Sequence, residues 1–198
     1  GVSNALTATT NAMVSGLAAL QAQDSAGYTA ATNTVVKNVI ITYSQATLKY
    51  ASKMDSNESG AKYQVERYAF WKTIEAYAAP HTDNACYNMG THTMGWIGSS
   101  NASACDAYIW TNASQDPNGT NDTCYNTVTH SVFVGANESV CDAFTSTYFY
   151  ENYGATLLNN IFDLTDATQL GTSYDVTAWL QPVWDHYGIT AAEIGTYA

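Results

Sequence analysis

VKNVIITYSQATLKYASKM, residues 36–54, is the stretch that decides the fold of this chain. Its apolar and tyrosine side chains recur with the period of an α-helix and form one stripe along it. The residues of this stripe are Val36, Val39, Ile40, Tyr43, Thr47, Tyr50 and Met54, with Lys37, Lys49 and Lys53 off it. The stretch therefore predicts an amphipathic helix over about residues 29–54.

Comparable patterns predict a helix on each side of this one. The preceding helix carries a stripe at helical spacing and ends at residues 24–27. Its stripe consists of Leu6, Met13, Leu17 and Leu20. The following helix spans about residues 61–79 and stops at Pro80. Because the breaks between these helices are short, we expect an antiparallel bundle.

The predicted fold class is mainly α, an antiparallel helical bundle with a long, irregular insertion held by disulfides. Residues 80–130 have no periodicity and are rich in Asn, Gly, Ser and Thr. Helix is expected to resume near Ser139 and continue through Ile161, and residues 190–193 have the form of a capping box. We expect a single domain over residues 1–198, with the cysteine-containing insertion at about residues 80–138.

A repeated unit fills much of this insertion. Each copy opens and closes with a cysteine, carries one histidine and has an N-x-S sequon just before the closing cysteine. Four cysteines allow three pairings, and the repeat predicts the pairs Cys86–Cys105 and Cys124–Cys141. Because disulfides persist in oxidising compartments, we expect a protein that is secreted, periplasmic or on the cell surface.

The charge balance narrows the possible partners. The net charge is −11, with only six Lys and Arg residues, which argues against nucleic acid and anionic membranes. No apolar stretch reaches the roughly 20 residues of a transmembrane helix. Since the chain begins at Gly1 rather than Met, we expect a mature protein whose signal peptide has been removed.

Two tyrosines and one carboxylate form a candidate metal site. Tyr43 and Tyr50 share the stripe of the central helix, and Glu66 falls on the stripe of the next. A buried carboxylate needs a partner, which is Arg67, a lysine, tyrosine hydroxyls or a metal. Phenolate and carboxylate oxygens are hard ligands suited to ferric iron, and a nearby Arg or Lys can hold a small anion such as carbonate.

The remaining titratable residues match no catalytic pattern. His81, His92 and His130 have no zinc-site spacing and are expected in surface or loop-packing roles, and His186 is expected at a helix C-terminus. The chain contains no G-x-S-x-G, P-loop, G-x-G-x-x-G or H-E-x-x-H motif. We therefore expect a protein that is not an enzyme.

QATLKYA at residues 45–51 and ERYAFWKTI at residues 66–74 carry a family resemblance. They resemble the pattern QA-x-L-x-YA followed by E-x-x-AFW-x-x-I of the low-iron-inducible periplasmic proteins of algae. That family includes the iron-assimilating protein of green algae and the diatom phytotransferrins. The resemblance implies iron uptake outside the cytoplasm, in some members by binding ferric iron together with carbonate. It implies ligands at Glu66, Tyr43 and Tyr50, and Lys72 stands where the family has arginine.

Two functions are therefore open. The first is an extracytoplasmic iron-binding or iron-assimilation protein. The second is a non-catalytic, secreted structural glycoprotein, a repeated subunit of a cell-surface assembly whose partners are other surface proteins or copies of itself. Low charge, many small polar residues and abundant tyrosine fit the second function.

Six sequons predict N-glycosylation, and five of them crowd between residues 101 and 137. The six asparagines are Asn57, Asn101, Asn112, Asn118, Asn121 and Asn137. We expect at least two of the five crowded asparagines to carry glycans, because they lie in irregular, polar sequence. Mass spectrometry of native protein after endoglycosidase treatment tests this. Five unmodified asparagines would contradict the expectation.

Overall fold

The structure is a computed structural model that forms two compact units. It describes residues 2–55, 60–88, 93–98, 105, 108–111, 123–127, 132–134 and 148–195. The first unit, here called the helical unit, comprises Gly1–Thr82 and Ala155–Ala198. The second, the inserted unit, comprises Asp83–Gly154. The insertion expected over residues 80–138 thus begins at Asp83 and extends to Gly154.

Six α-helices are described. They are α1 (Val2–Gln21), α2 (Ser25–Ala51), α3 (Gly60–Ala78), α4 (Tyr153–Ile161), α5 (Thr177–His186) and α6 (Ala191–Ile194). Two 3₁₀ turns, Ala79–His81 and Ala167–Gln169, follow α3 and α4. The mainly α fold class is confirmed, and the three long helices predicted before Pro80 are present with nearly the expected bounds.

The side chain of Asp24 caps the start of α2, directly after the break that follows α1. Asp24 is the N-cap of α2, and its carboxylate accepts a hydrogen bond from the amide of Gly27. The chain reverses there, so that α1 and α2 form an antiparallel hairpin. Pairs of contacting residues show this direction, since Gly16 lies against Ala31 and Ala19 lies against Gly27.

The core of the helical unit is formed by α2, α3, α4 and α5. Its largest apolar side chains are fully buried and include Trp71, Phe162, Leu158 and Leu180. Trp184 donates its indole N–H to the hydroxyl of Ser44 over 3.1 Å, which satisfies two buried polar groups between α5 and α2. The chain leaves and re-enters this unit at one point, because the amide of Ala155 donates to Thr82 Oγ1 over 3.1 Å.

Short strands replace the irregular structure that was expected in the inserted unit. They are β1 (Asn84–Asn88), β2 (Thr93–Gly98), β3 (Tyr108–Thr111), β4 (Thr123–Asn126), β5 (Val132–Val134) and β6 (Tyr148–Tyr150). They form two antiparallel sheets of three strands, in the orders β2-β1-β6 and β3-β4-β5. Several of these strands are rich in aromatic and β-branched residues, which favour a pleated surface.

The disulfide pairing is confirmed for the first repeat. Cys86 and Cys105 are bonded, with their Cα atoms 5.5 Å apart, and both are buried. Cys124 is also buried and disulfide-bonded. Its expected partner, Cys141, lies outside the described residues, so the second pair stays a prediction.

The helix expected to run from Ser139 to Ile161 is wrong over its described first part. Residues 148–150 are the strand β6, and helix begins only at Tyr153. Asn152 adopts a left-handed backbone conformation, with φ of 54°, and its amide donates to Asn84 Oδ1. This turn separates strand from helix. The capping box at Thr190 and Glu193 is confirmed at the start of α6.

None of the helices in the described ranges is both long enough and apolar enough to cross a membrane.

Leu158 and Leu164 give a matched test of the core. Leu158 is fully buried, whereas Leu164 is 47% exposed. We expect Leu158→Ala to lower the free energy of unfolding by about 2–5 kcal/mol through lost burial and a cavity. Leu164→Ala should change it by less than about 0.5–1 kcal/mol. Urea unfolding followed by circular dichroism measures both. Equal effects of the two variants would show that this core assignment is wrong.

Candidate functional site

The facing sides of α2 and α3 bring together an aromatic cluster. The rings of Tyr50 and Phe70 stack with centroids 5.4 Å apart, and Tyr50 also lies 5.6 Å from Tyr63. Tyr43 lies 6.0 Å from Phe70. Because later residues of α2 meet earlier residues of α3, the two helices are antiparallel. Antiparallel packing therefore places the tyrosine stripe of α2 against Tyr63, Glu66 and Phe70.

Tyr50 and Glu66 are the two predicted ligands that the structure brings near enough to interact electrostatically. Burial raises the pKa of Tyr50, and the negative charge of the nearby Glu66 carboxylate raises it further. Lys62 lies 3.7 Å from the Glu66 carboxylate, in a pair that is mostly exposed and contributes little to stability. A phenol and a carboxylate thus meet at a solvent-accessible edge between two helices.

Tyr43, the third predicted ligand, occupies a different place on the same face. It lies seven residues before Tyr50 on α2 and packs against Phe70, which is one helical turn beyond Glu66. Tyr63, which was not predicted as a ligand, is closer to the pair. It faces Tyr50 from α3, and its position three residues before Glu66 on one helix is the signal that could have identified it.

Arg67, rather than its neighbour Glu66, is the charged residue that α3 buries. The expectation that Glu66 lies on the core side of α3 is therefore wrong. The core side of α3 is made of Gln64, Arg67, Trp71, Ile74 and Ala78. Arg67 is fully buried, whereas the Glu66 side chain is 31% exposed. One residue turns the helix by about 100°, so the two neighbours face different elements.

Arg67 is held by few contacts. Its Nε donates to the carbonyl of Tyr63 over 3.0 Å, and its guanidinium lies 4.9 Å from the centre of the Phe162 ring. Its two terminal nitrogens make no hydrogen bond with the part of the chain that the structure describes. Burial lowers the pKa of Arg67 to about 9, so the side chain remains positively charged at neutral pH.

Lys72, which stands where the resembling family has arginine, belongs to a polar network between α3 and α4. Its Nζ donates to Glu75 over 2.7 Å and to Asn159 Oδ1 over 3.0 Å. Asn159 also accepts from the indole of Trp71 and donates to Glu75. Lys72 is therefore engaged in joining two helices.

Two histidines form a pair that the sequence did not predict. The rings of His81 and His186 stack with centroids 3.4 Å apart, and Tyr187 meets both rings edge-on. Burial lowers the pKa of His81, and the nearby His186 lowers it further. His186 lies in the last turn of α5, as expected. The other two histidines, His92 and His130, lie outside the described residues.

The other predicted sites can be placed only in part. Within the described ranges, no group of three or more His, Cys, Asp and Glu residues is placed to hold a metal ion. All six sequon asparagines, Asn57, Asn101, Asn112, Asn118, Asn121 and Asn137, lie outside those ranges.

Comparison of the chain with protein-family models, curated proteins and solved structures finds no match. The resemblance to the algal iron-uptake family therefore stays a prediction.

The histidine pair predicts a loss of stability in mild acid. Because the pKa of folded His81 lies below the usual 6.5, the unfolded state binds the proton more readily, and stability falls as pH drops through about 6.5. We expect His186→Gln to reduce this loss, since it removes the neighbouring charge. Urea midpoints at pH 7.5 and pH 5 for parent and variant measure the difference. An identical loss in both proteins would contradict the role of the pair.

Proposed function

We propose that this protein binds ferric iron outside the cytoplasm and takes part in iron assimilation. The observation that carries the proposal is the meeting of the Tyr50 phenol and the Glu66 carboxylate between α2 and α3. Both are hard oxygen ligands, and a half-buried edge allows a metal to reach them. Tyr63, whose ring centre lies 5.6 Å from that of Tyr50, and Tyr43 are the further ligands.

The electrostatics of the pair favour a highly charged cation. Deprotonating an ordinary tyrosine at pH 7 costs about 4 kcal/mol, from about 3 pKa units. Glu66 makes the deprotonation of Tyr50 harder still while the site is empty. A trivalent cation attracts the phenolate and the carboxylate more strongly than a divalent cation does, so it offsets more of this cost. The site should therefore prefer ferric iron to calcium or magnesium and should bind it more tightly as pH rises.

The location outside the cytoplasm is supported by the Cys86–Cys105 disulfide. Such bonds are rare in reducing compartments. The proposal of a secreted, periplasmic or cell-surface protein therefore fits the chemistry of the inserted unit. The acidic net charge also concentrates cations near the protein.

Carbonate is the proposed companion anion. Arg67 supplies two buried guanidinium nitrogens that have no partner among the described residues, and a guanidinium binds planar oxyanions with two parallel hydrogen bonds. Glu66 and Arg67 face different neighbours, the ring of Tyr50 and the ring of Phe162. Ferric titration with and without bicarbonate therefore tests the anion by its effect on iron affinity, and equal affinity in the two buffers would remove carbonate from the proposal.

Glu66→Gln tests the metal site. The change keeps the side-chain volume and removes one charge, so iron affinity should fall at least about tenfold while thermal stability changes little. The measurement is titration with a ferric chelate in bicarbonate buffer, followed by the tyrosinate charge-transfer absorbance. Tyr50→Phe should remove most of that absorbance.

Glu75→Gln is the matched control. Glu75 lies on the same helix with a similar exposed fraction, 27%, but it is engaged with Lys72 and Asn159. It should bind iron as the parent does. Parent protein that develops no absorbance with iron and bicarbonate would refute the proposal, and equal binding by Glu66→Gln and parent would refute the site.

The second candidate function is a structural subunit of a cell-surface assembly. One observation favours it, namely the row of exposed large apolar side chains along α1. A protein of this kind would bind no iron, so the ferric titration separates the two functions.

A further inference from the structure

Helix α1 packs against α2 through its smallest side chains. Ala5, Ala12 and Gly16 are buried on this side. The helices approach so closely that a Cβ atom added at Gly16 would lie 3.1 Å from the Cβ of Ala31. The side of α1 that faces α2 is therefore lined by Ala and Gly, and the large side chains of α1 point elsewhere.

The large apolar side chains of α1 are exposed to solvent. Their exposed fractions range from 57% to 67%, and the residues are Leu6, Met13, Val14, Leu17 and Leu20. These are the residues whose spacing predicted the helix, together with Val14. Tyr28 of α2, 48% exposed, borders the same surface. Contiguous apolar surface of this kind marks an interaction site on a soluble protein.

The exposed row has the spacing of a coiled-coil seam. Leu6, Thr10, Met13, Leu17 and Leu20 follow one another at alternating intervals of four and three residues. This is the a and d pattern by which one helix packs on another in a left-handed supercoil. At about 100° per residue, the seam lies roughly 100° around α1 from the side that packs on α2. Helix α1 thus carries two packing faces, and α2 occupies only one.

We propose that the seam binds the same seam of a second copy of this chain, forming a two-fold symmetric, antiparallel dimer through α1. In this arrangement Met13 packs against Met13 of the second copy, and Leu6 packs against Leu20. The inference is independent of the proposed iron site, because none of its residues belongs to that site.

The lack of charge on α1 makes it the surface along which a second copy can approach with the least repulsion. Helix α1 contains no charged residue, and residues 2–36 contain only Asp24. Two proteins of net charge −11 repel each other. Residues 2–36 add almost no like-charge contact, because Asp24 is their only charged residue. A membrane-surface helix typically carries Lys or Arg beside its apolar face, and α1 has neither.

The area is sufficient for a specific dimer. The six large side chains, from Leu6 to Tyr28, are 48% to 67% exposed, so burying them on both copies approaches the lower end of the about 1,200–2,000 Å² range of stable interfaces. A groove of about 240 Å³ between α1 and α2, lined in part by Met13, Leu17 and Tyr28, can accept side chains of the partner.

The antiparallel direction follows from where the core of the helical unit lies along the hairpin. The core residues of α2 begin at Val36, so the turn between α1 and α2 lies at the far end of the hairpin from the core. Antiparallel pairing places the cores of the two helical units at opposite ends of a helix about 30 Å long, where they do not collide. Parallel pairing would place them side by side.

Leu17→Glu tests the interface. Leu17 is exposed in the monomer, so the variant should fold normally, while two buried carboxylates should raise the dimer dissociation constant by about 100-fold or more. Leu164→Glu, at a similarly exposed leucine outside the hairpin, is the control and should leave the constant unchanged. Sedimentation equilibrium measures all three proteins, and circular dichroism checks their folding.

Two results would overturn the dimer. One is a parent that is monomeric at 100 µM, whether or not it binds neutral phosphatidylcholine vesicles. The other is a Leu17→Glu variant that is as dimeric as the parent.

Single cysteines test the direction of pairing. Met13→Cys should form an intermolecular disulfide on mild oxidation, because each Met13 faces its own copy across the two-fold axis. Leu6→Cys should not, because its antiparallel partner is Leu20. Peptide mapping confirms that the native disulfides are retained. Efficient cross-linking of Leu6→Cys would indicate parallel pairing and overturn the proposed geometry.

Discussion

The antiparallel packing of α2 on α3 is the constraint on which the rest of the helical unit depends. The contacts of Tyr43 and Tyr50 with Phe70 set the register of the two helices. That register turns Trp71 into the core and leaves Glu66 beside Tyr50 at the edge. The candidate metal site is therefore a consequence of how two amphipathic helices bury their apolar sides.

The existence of the helices could be predicted, because their periodicity is strong and their ends carry local signals. Pro80 and the capping box at Thr190 are such signals, and both mark boundaries in the structure. The inserted unit could not be predicted in the same way. Its strands are three to six residues long, and antiparallel pairing between distant segments, such as β1 with β6, has no local signature.

The main feature that could not be predicted from the sequence was which face of each helix is buried. An apolar stripe predicts an amphipathic helix without saying what covers it, and on α1 the Ala and Gly side became the inner side because it allows close approach to α2. On α3, Arg67 rather than Glu66 is buried, and its guanidinium lies over the ring of Phe162. The Tyr50–Glu66 pair was within reach of the sequence, whereas the stacking of His81 on His186 joins segments that no motif connects.

The most direct test of the central claim is a crystal structure of the iron-loaded protein with anomalous diffraction at the iron edge. The account predicts one strong anomalous peak between α2 and α3, within bonding distance of the Tyr50 phenolate oxygen and a Glu66 carboxylate oxygen. A peak bound elsewhere, or iron-soaked crystals without any ordered peak, would contradict it.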